Sequence, residues 1–270
     1  MAKAFVDTTI LADATLKSGE RQTEALAALA RYSETELPGY AIKELKQGVL
    51  KNYAWFHNQL ADSRSFSKAV AALHKMGITP RRHTAQSAME ALAESVRQFE
   101  KKTLRELLEE YGDEATADEC LADEYRDFLR YLIFDGWNQR RSTTTRIVYD
   151  LSCYKETDPL MRGGQIDLEP MRCDPKPECC MAEMLRQQAN DIKLLILALE
   201  AAGGGRQISQ RKALDRLVSN PPERMRHIDC KSLGDALFAL LCPKDSVILT
   251  TNVRDHIPLA SALGKEVEKP

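Results

Sequence analysis

The sequence lacks the features of a membrane-spanning or secreted protein. It has no uninterrupted run of about 18 apolar residues, the length that a membrane-spanning helix needs, and its apolar segment 192–204 contains a lysine and a glutamate. The opening MAKAFVDTTIL has a lysine before a short apolar stretch that Asp7 interrupts, which differs from a signal peptide. We therefore expect a soluble, cytoplasmic protein with no membrane partner.

The sequence also lacks a cysteine pattern typical of a disulfide framework or a strong zinc motif. It has seven cysteines, an odd number, and no C-x-x-C pair, so we expect reduced thiols. Zinc binding by Cys153, Cys173, Cys179 and Cys180 remains an alternative, although adjacent cysteines rarely both bind one ion. The other three, Cys120, Cys230 and Cys242, lie among apolar neighbours and are expected in the core.

A large excess of charge of one sign is missing too. The formal net charge is -2, so nucleic-acid binding would depend on local clusters of lysine and arginine. The best candidate is the RRSTTTR segment, in which Arg140, Arg141 and Arg146 accompany hydroxyl groups that suit phosphate oxygens. Other basic clusters occur at 81–83, 206–212 and 224–227. Clusters of this kind usually belong to a solvent-exposed surface without a binding role. Trp137 could stack on a base, but burial is the more common role of such a side chain.

The two ends of the chain have the pattern of an α/β protein. Residues 4–6 are an apolar run typical of a strand and lead directly to Asp7; a helix is predicted over 20–32, and a turn with a brief strand over 37–42. Near the other end, Ser232 is expected to cap a helix that continues to Leu241. A β-branched strand should follow over 246–250, and then a final helix with Pro258 in its first turn, closed by Gly264.

The middle of the chain, roughly 52–220, has helical periodicity. Apolar residues three or four apart over 84–111 predict one long helix with a single apolar stripe. Further helices are predicted over 115–137, 182–202 and 207–218. Residues 147–153 could form a strand, and 158–180 is expected to be a long loop, which compact domains usually retain only for a purpose.

Four acids lie at or just beyond strand ends or open the helices that follow: Asp7, Glu44, Asp235 and Asp255. Ligands of open parallel sheets bind at the carboxyl ends of the strands. Several carboxylates there could bind a divalent cation such as Mg²⁺, which prefers oxygen ligands. Such an ion assists phosphodiester cleavage by holding a hydroxide and neutralising charge on the phosphate.

These segments resemble the PIN-domain nuclease family, in particular its VapC-like members. FVDTTILAD is similar to the opening motif, YAIKELKQG to the second motif and SLGDALFALL to the third. SVILTTNVRDHIPLASALG is similar to the closing strand, loop and helix and is the most specific match. The resemblance covers about the first 55 and last 45 residues. It implies a three-layer α/β/α domain with a central parallel sheet. Residues 1–55 and 222–270 would form this domain around a mainly helical insertion, 56–221. The insertion could contribute a strand near 147–153.

Carried over residue by residue, the resemblance makes Asp7, Glu44, Asp235 and Asp255 the catalytic, metal-binding acids, with Asn252 as an alternative or additional ligand. Lys43 or Arg254 would stabilise developing charge. The chain departs from the family at Thr9, where an asparagine is frequent. It also departs in its middle, where the third central strand is not apparent and 225–228 is the best candidate.

Each acid also has a purely structural explanation. Ser232 and Asp235 fit a capping box, Asp7 could cap the turn after its strand, and Asp255 could interact with the dipole of the last helix. Glu44 could be a surface acid. Only the set of four, in family order and in matching contexts, favours a metal site over these explanations.

The function that the resemblance implies is a Mg²⁺- or Mn²⁺-dependent endonuclease, with RNA favoured over DNA as substrate and a toxin-like role as one biological setting. A regulatory or inhibitory protein is an expected type of partner. One alternative is a PIN-like binding module without catalysis that uses the helical insertion. Another is a helical scaffold that could form a homodimer in which the apolar stripes of 84–111 pack together.

Overall fold

A five-stranded parallel sheet brings the two ends of the chain together. The computed structural model describes residues 2–77, 82–98, 104–149, 157–169, 180–203, 205–219 and 223–270. The strands are β1 (Lys3–Val6), β2 (Glu34–Pro38), β3 (Arg146–Val148), β4 (Leu160–Arg162), β5 (Gln165–Asp167), β6 (Ser246–Leu249) and β7 (Val267–Glu268). The sheet has the order β3-β2-β1-β6-β7, and β4 and β5 form a separate antiparallel pair. The predicted α/β class with a parallel sheet is thus confirmed.

Helices make up most of the remaining structure. The first seven are α1 (Thr8–Leu16), α2 (Gly19–Ala30), α3 (Gly39–Leu45), α4 (Lys51–Ser63), α5 (Phe66–Gly77), α6 (Arg82–Gln98) and α7 (Leu104–Tyr111). The rest are α8 (Glu114–Thr143), α9 (Cys180–Arg186), α10 (Ala189–Ala202), α11 (Gly205–Val218), α12 (His227–Leu233), α13 (Asp235–Leu241) and α14 (Val253–Ala262). A π-helical turn, Lys46–Leu50, joins α3 to α4. In the described part of the chain, none of these helices combines the length and apolarity that crossing a membrane requires.

The central strand β1 determines where the ends of its neighbours lie. Ala4, Phe5 and Val6 are fully buried, as expected for a parallel strand covered on both faces. Val6 pairs with Leu249 of β6, and the Asp7 N–H donates to the Leu249 carbonyl at 3.0 Å. Because the strands run in one direction, the residues that follow β1 and β6 meet at the same edge of the sheet.

The long helix α8 joins the predicted insertion to the terminal elements. It packs against α1, which follows the central strand, and against α4. Gly136 permits the contact with α1, because a Cβ at this position would clash with the Leu16 side chain and lie 2.9 Å from the Thr15 carbonyl oxygen. The buried apolar residues form one core that extends from β1 and β6 through α4 and α8 to α10 and α11.

Several predicted element boundaries were wrong near the N-terminal acids and in the middle of the chain. The strand predicted over 37–42 is β2, which ends at Pro38, and Gly39 already begins α3. Proline suits that junction because it cannot donate a ladder hydrogen bond and has an extended conformation here. The helix predicted over 182–202 is divided into α9 and α10. The one predicted over 84–111 appears as α6 and α7, with 99–103 outside the described residues.

The strands of the middle segment also differ from expectation. Residues 225–228 form no strand, because Arg226 caps α12 and His227 is its first residue. The exception is β3 (Arg146–Val148), which confirms the start of the strand considered near 147–153; it lies at the edge of the sheet, paired with β2, within the region predicted as an insertion. The loop predicted over 158–180 contains β4 and β5, while 170–179 lie outside the described residues. The short edge strand β7 was not predicted.

Two details near the C-terminus were wrong as well. The helix predicted from Ser232 to Leu241 is two helices, separated at Gly234, whose φ of 46° breaks the helical path. Pro258 lies in the second turn of α14 rather than the first, since the helix begins at Val253.

The cysteine predictions are resolved only in part. Cys230 and Cys242 are buried, as predicted, and neither forms a disulfide with a described residue, whereas Cys120 is partly exposed. Cys153, Cys173, Cys179 and the side chain of Cys180 lie outside the described residues, so the zinc alternative stays a prediction.

Candidate active site

Asp7 is held at the end of the central strand by two threonine hydroxyls. Thr9 Oγ1 and Thr250 Oγ1 each donate to Asp7 Oδ2 at 2.7 Å. The Thr9 N–H also approaches this oxygen, at 3.4 Å, so Asp7 is the N-cap of α1. The carboxylate is almost fully buried. Among the described residues, no hydrogen bond reaches its other oxygen, Oδ1, so capping does not occupy both oxygens.

Glu44 comes to the same edge of the sheet from α3. Thr8, the residue after Asp7, donates its hydroxyl to Glu44 Oε2 at 2.7 Å. Burial, together with the charges of Asp7 and Asp235, raises the pKa of Glu44 to about 7, although hydrogen bonds from Thr8 and Tyr40 oppose the shift. An acid affected in this way belongs to one electrostatic cluster with Asp7 and Asp235.

Asp235 is the first residue of α13 and is buried. The predicted capping box with Ser232 does not form, because Ser232 lies in α12 and donates its hydroxyl to the Ile228 carbonyl. Burial raises the pKa of Asp235, as do the charges of Asp7 and Asp255, whereas His256 and Arg206 lower it. The structural explanation of this acid as a capping-box residue was therefore wrong.

Asp255 and Asn252 lie at the start of α14. Asn252 Nδ2 donates to Asp255 Oδ2 at 3.0 Å, so the two polar groups considered as alternative ligands are direct neighbours. Asp255 lies in the first helical turn, where the positive end of the helix dipole also favours a negative charge. Its side chain is more exposed than that of Asp235, 34% against 12%, and it forms the outer part of the cluster.

Arg206 joins two of the acids. Its Nη2 lies 2.8 Å from Asp235 Oδ2, and its Nη1 lies 2.8 Å from Asp255 Oδ2. The residue belongs to α11, within the segment predicted as an insertion. Sequence analysis placed Arg206 in a basic cluster but not at this site. A guanidinium between two carboxylates neutralises part of their negative charge.

His256 is a second member of the site that sequence analysis missed. Its ring is fully buried, and its Nε2 lies 3.4 Å from Asp235 Oδ1 and 3.7 Å from Asp7 Oδ2. Neither ring nitrogen has a hydrogen-bond partner among the described residues. The signal available in the sequence was its position directly after Asp255. A buried polar ring directed at two acids is expected to bind or to position a further group.

Three side chains thus link the four predicted acids. Thr8 connects the Asp7 segment to Glu44, His256 lies between Asp7 and Asp235, and Arg206 bridges Asp235 and Asp255. As the described side chains stand, no group of three or more His, Cys, Asp or Glu has an arrangement that could hold a metal ion. The acids share one end of the sheet but have non-acidic side chains between them.

The basic residues predicted from the sequence are more scattered. Arg140 is fully buried, and its guanidinium carbon lies 3.4 Å from the centre of the Trp137 ring, which is also buried. Arg146 pairs with Glu36 and Glu34 at the edge of the sheet, and Arg141 is exposed. The structure therefore does not present RRSTTTR as one surface cluster.

Lys43 and Arg254 lie on the two helices that carry Glu44 and Asp255. Lys43 is buried next to Glu44, with its Nζ 3.6 Å from Cys230 Sγ. Arg254 is exposed on the first turn of α14. Lys43 is thus the better enclosed of the two cations proposed to stabilise charge.

Comparison with models of known protein families found no match, and searches of curated proteins and of solved structures likewise found no similar protein. The fold and the site define the chain as an α/β protein with four acidic side chains at the carboxyl end of a parallel sheet. Any assignment of function beyond that class rests on the chemistry of those side chains.

Proposed function

We propose that the protein is a PIN-like, metal-dependent endonuclease that hydrolyses phosphodiester bonds of nucleic acid, with RNA as the favoured substrate. The observation that carries the proposal is that Asp7, Glu44, Asp235 and Asp255 come from four segments, distant in sequence, to one edge of the sheet. Burying several carboxylates together is electrostatically unfavourable unless a cation compensates them.

The donor set fits Mg²⁺ or Mn²⁺. Carboxylate oxygens and the amide oxygen of Asn252 are the hard ligands that these ions prefer. Arg206 supports this assignment, because a positive group already bridges Asp235 and Asp255. In our proposal, Asp7, Glu44, Asp235 and Asp255 would hold the ion, Asn252 would offer a further oxygen, and Arg206 would give up its pairing with Asp235 and Asp255.

The remaining residues prepare this set of ligands. A bound divalent ion supplies hydroxide near neutral pH and neutralises charge on the scissile phosphate. Thr9 and Thr250 fix the Asp7 carboxylate, Thr8 orients Glu44, and His256 separates the charges of Asp7 and Asp235. Lys43, next to Glu44 in α3, would stabilise negative charge that develops on the phosphate.

A second candidate function is a PIN-like binding module without catalysis. The observation that favours it is again Arg206, because the guanidinium could be a permanent replacement for a metal ion. In that case α11 would complete a stable acidic network, and nucleic acid would bind without being cut. The two candidates differ in whether a divalent ion displaces Arg206.

Cleavage of mixed-sequence RNA and DNA oligonucleotides tests the proposal. Activity should require Mg²⁺ or Mn²⁺, disappear with EDTA and return when metal is added back. Asp7→Asn and Asp235→Asn should each lower the cleavage rate by at least about 100-fold, which corresponds to about 3 kcal/mol of transition-state stabilisation. The matched control is Glu24→Gln, which neutralises an exposed acid on α2. Activity that persists in EDTA, or in both aspartate variants, would exclude this mechanism, and RNA binding without cleavage would favour the binding module.

A further inference from the structure

A lysine-lined cavity adjoins the acidic site at Glu44. It has a volume of about 420 Å³, and its walls include Lys43, Glu44, Gln47, Gly48, Lys51 and Lys231. We call this feature the lysine cavity. Lys43 and Lys51 come from the neighbouring helices α3 and α4, whereas Lys231 comes from α12, which is far from them in sequence. Sequence analysis gave no role to Lys51 or Lys231.

The lysine cavity carries an excess of positive charge. Of the described residues that line it, one is an acid, Glu44, and three are lysines. Lys51 and Lys231 are exposed, and neither forms an ion pair with the described residues. A cavity whose lysine side chains outnumber its acids is suited to an anion. The concentration of charge is local, since the net charge of the whole chain is -2.

The π-helical turn Lys46–Leu50 forms one wall of this cavity. Such turns are rare and occur frequently at functional sites, and this one places Gln47 and Gly48 on the wall. Gly48 does not have the positive φ that requires glycine, and a Cβ there would meet no heavy atom within 4 Å. A glycine within helical structure costs roughly 0.5–1 kcal/mol relative to alanine.

Hydrogen bonds hold the walls of the cavity in place. Tyr40 of α3 donates its hydroxyl to the Cys230 carbonyl of α12 at 3.3 Å. Lys43 Nζ approaches the Sγ of the same cysteine at 3.6 Å. These contacts join the helix that carries Glu44 to the helix that carries Lys231.

We infer that the lysine cavity binds the phosphate backbone of a single nucleic-acid strand, at a phosphate next to the one that is cut. The choice of ligand rests on the proposed function; the positive charge and the position beside Glu44 come from the structure. Lys51 and Lys231 contact phosphate oxygens, and Gln47 and the Gly48 backbone border the same strand. A strand held there passes Glu44 and enters the acidic site.

Binding of a labelled single-stranded RNA in EDTA tests the inference without cleavage. We expect the double variant Lys51→Ala/Lys231→Ala to bind about tenfold more weakly in fluorescence anisotropy. The slope of log affinity against log salt should decrease by about 1.4, because each lost phosphate contact on a single strand contributes about 0.7. Lys51→Arg/Lys231→Arg should retain the wild-type affinity and slope, since the charge is kept.

The control is Lys75→Ala/Lys193→Ala, which removes two exposed lysines that do not line the cavity. If the control loses as much affinity as the cavity variant, or if the cavity variant keeps the wild-type affinity and slope, the inference is wrong. It is also wrong if wild-type protein does not bind the RNA. If the cavity variant instead loses only its thermal stabilisation by inorganic phosphate and keeps its RNA affinity, the cavity binds a free phosphate compound.

The outcome is separable from that of the proposed function. Metal-dependent cleavage by wild-type protein, together with unchanged RNA binding by the cavity variant, would reject the lysine cavity and leave the nuclease standing. Weaker binding by the variant without cleavage by any form of the protein would support the cavity and reject the nuclease.

Discussion

At the scale of single residues, Thr9 can take the role that the family often gives to an asparagine. The PIN resemblance places an asparagine where Thr9 stands, and its task would be to steady the first aspartate. Here the Thr9 hydroxyl donates to Asp7 and lies 3.3 Å from the Thr250 hydroxyl, which donates to the same carboxylate oxygen. Two hydroxyl groups therefore do what one amide would do. The departure at Thr9 does not weaken the case for Asp7 as a ligand.

The raised pKa of Glu44 predicts how stability depends on pH. The ordinary pKa of a glutamate is 4.5, and that of folded Glu44 is about 7, so the folded state holds this proton more tightly than the unfolded state. The stability that this proton provides is complete below about pH 4.5 and is lost as the pH rises through about 7. In EDTA, wild-type protein should therefore lose unfolding free energy between pH 5 and pH 8 relative to Glu44→Gln, which has no proton to lose.

Chemical denaturation at several pH values measures this difference. The control is again Glu24→Gln, whose pH profile should follow that of wild type because Glu24 is exposed on α2. Parallel profiles for wild type and Glu44→Gln would show that Glu44 titrates normally and would contradict the buried cluster.

At the scale of elements, the site depends on helices contributed by separate parts of the chain. The acids lie on or before α1, α3, α13 and α14, whereas α11 supplies the arginine that joins two of them. α11 packs against α12 and α10, and α10 packs against α14. The segment predicted as an insertion therefore contributes directly to the electrostatics of the site.

Replacing Arg206 should make metal binding tighter. Its guanidinium competes with a divalent ion for Asp235 and Asp255, so Arg206→Gln should lower the Mg²⁺ or Mn²⁺ dissociation constant about five- to tenfold in calorimetry. The metal-free variant should melt slightly lower, because two carboxylates lose their partner, and it should gain more thermal stability from metal than wild type does. The destabilisation is expected to be small because the Arg206 side chain is 55% exposed.

Arg211→Gln is the matched control for this experiment. Arg211 lies on the same helix but pairs with Glu200, so its loss should not affect metal affinity. Unchanged or weaker metal binding by Arg206→Gln would refute displacement of the arginine and would favour the binding module.

At the scale of the whole molecule, terminal and middle segments form one core. β3 comes from the middle of the chain and pairs with β2, and α8 lies against α1 at a contact that has no room for a side chain at Gly136. A distortion there would be transmitted to α1, whose N-cap is Asp7. The position of α8 should therefore affect both folding stability and the acidic site.

Gly136→Ala tests this connection. Alanine is the better helix former by about 1 kcal/mol, so a solvent-exposed glycine in α8 would be stabilised by the change. At Gly136 the added Cβ overlaps Leu16 and approaches the Thr15 carbonyl, and overpacking of this kind costs about 1–3 kcal/mol. We expect a lower unfolding free energy in denaturant titrations. A stabilised Gly136→Ala protein would show that α8 is not packed closely on α1.

Sequence periodicity alone predicted the α/β class and most helices, as well as the two strands that deliver Asp7 and lead to Asp255. These features depend on neighbours a few residues away, which a sequence displays directly. The predicted boundaries at Pro38, where β2 ends, and at Gly234, which separates α12 from α13, were wrong. A local pattern does not show where a strand ends and a helix begins, or where a glycine takes a positive φ.

Only the tertiary structure decided which distant side chains meet. Arg206 and Arg140 both stood in basic clusters of the sequence, yet one bridges two acids and the other is buried against Trp137. His256 and the lysine cavity were likewise invisible, because their partners come from elements far apart in the chain. Composition and spacing determine what an element can present to its surroundings, whereas the packing of one element on another determines what it actually contacts.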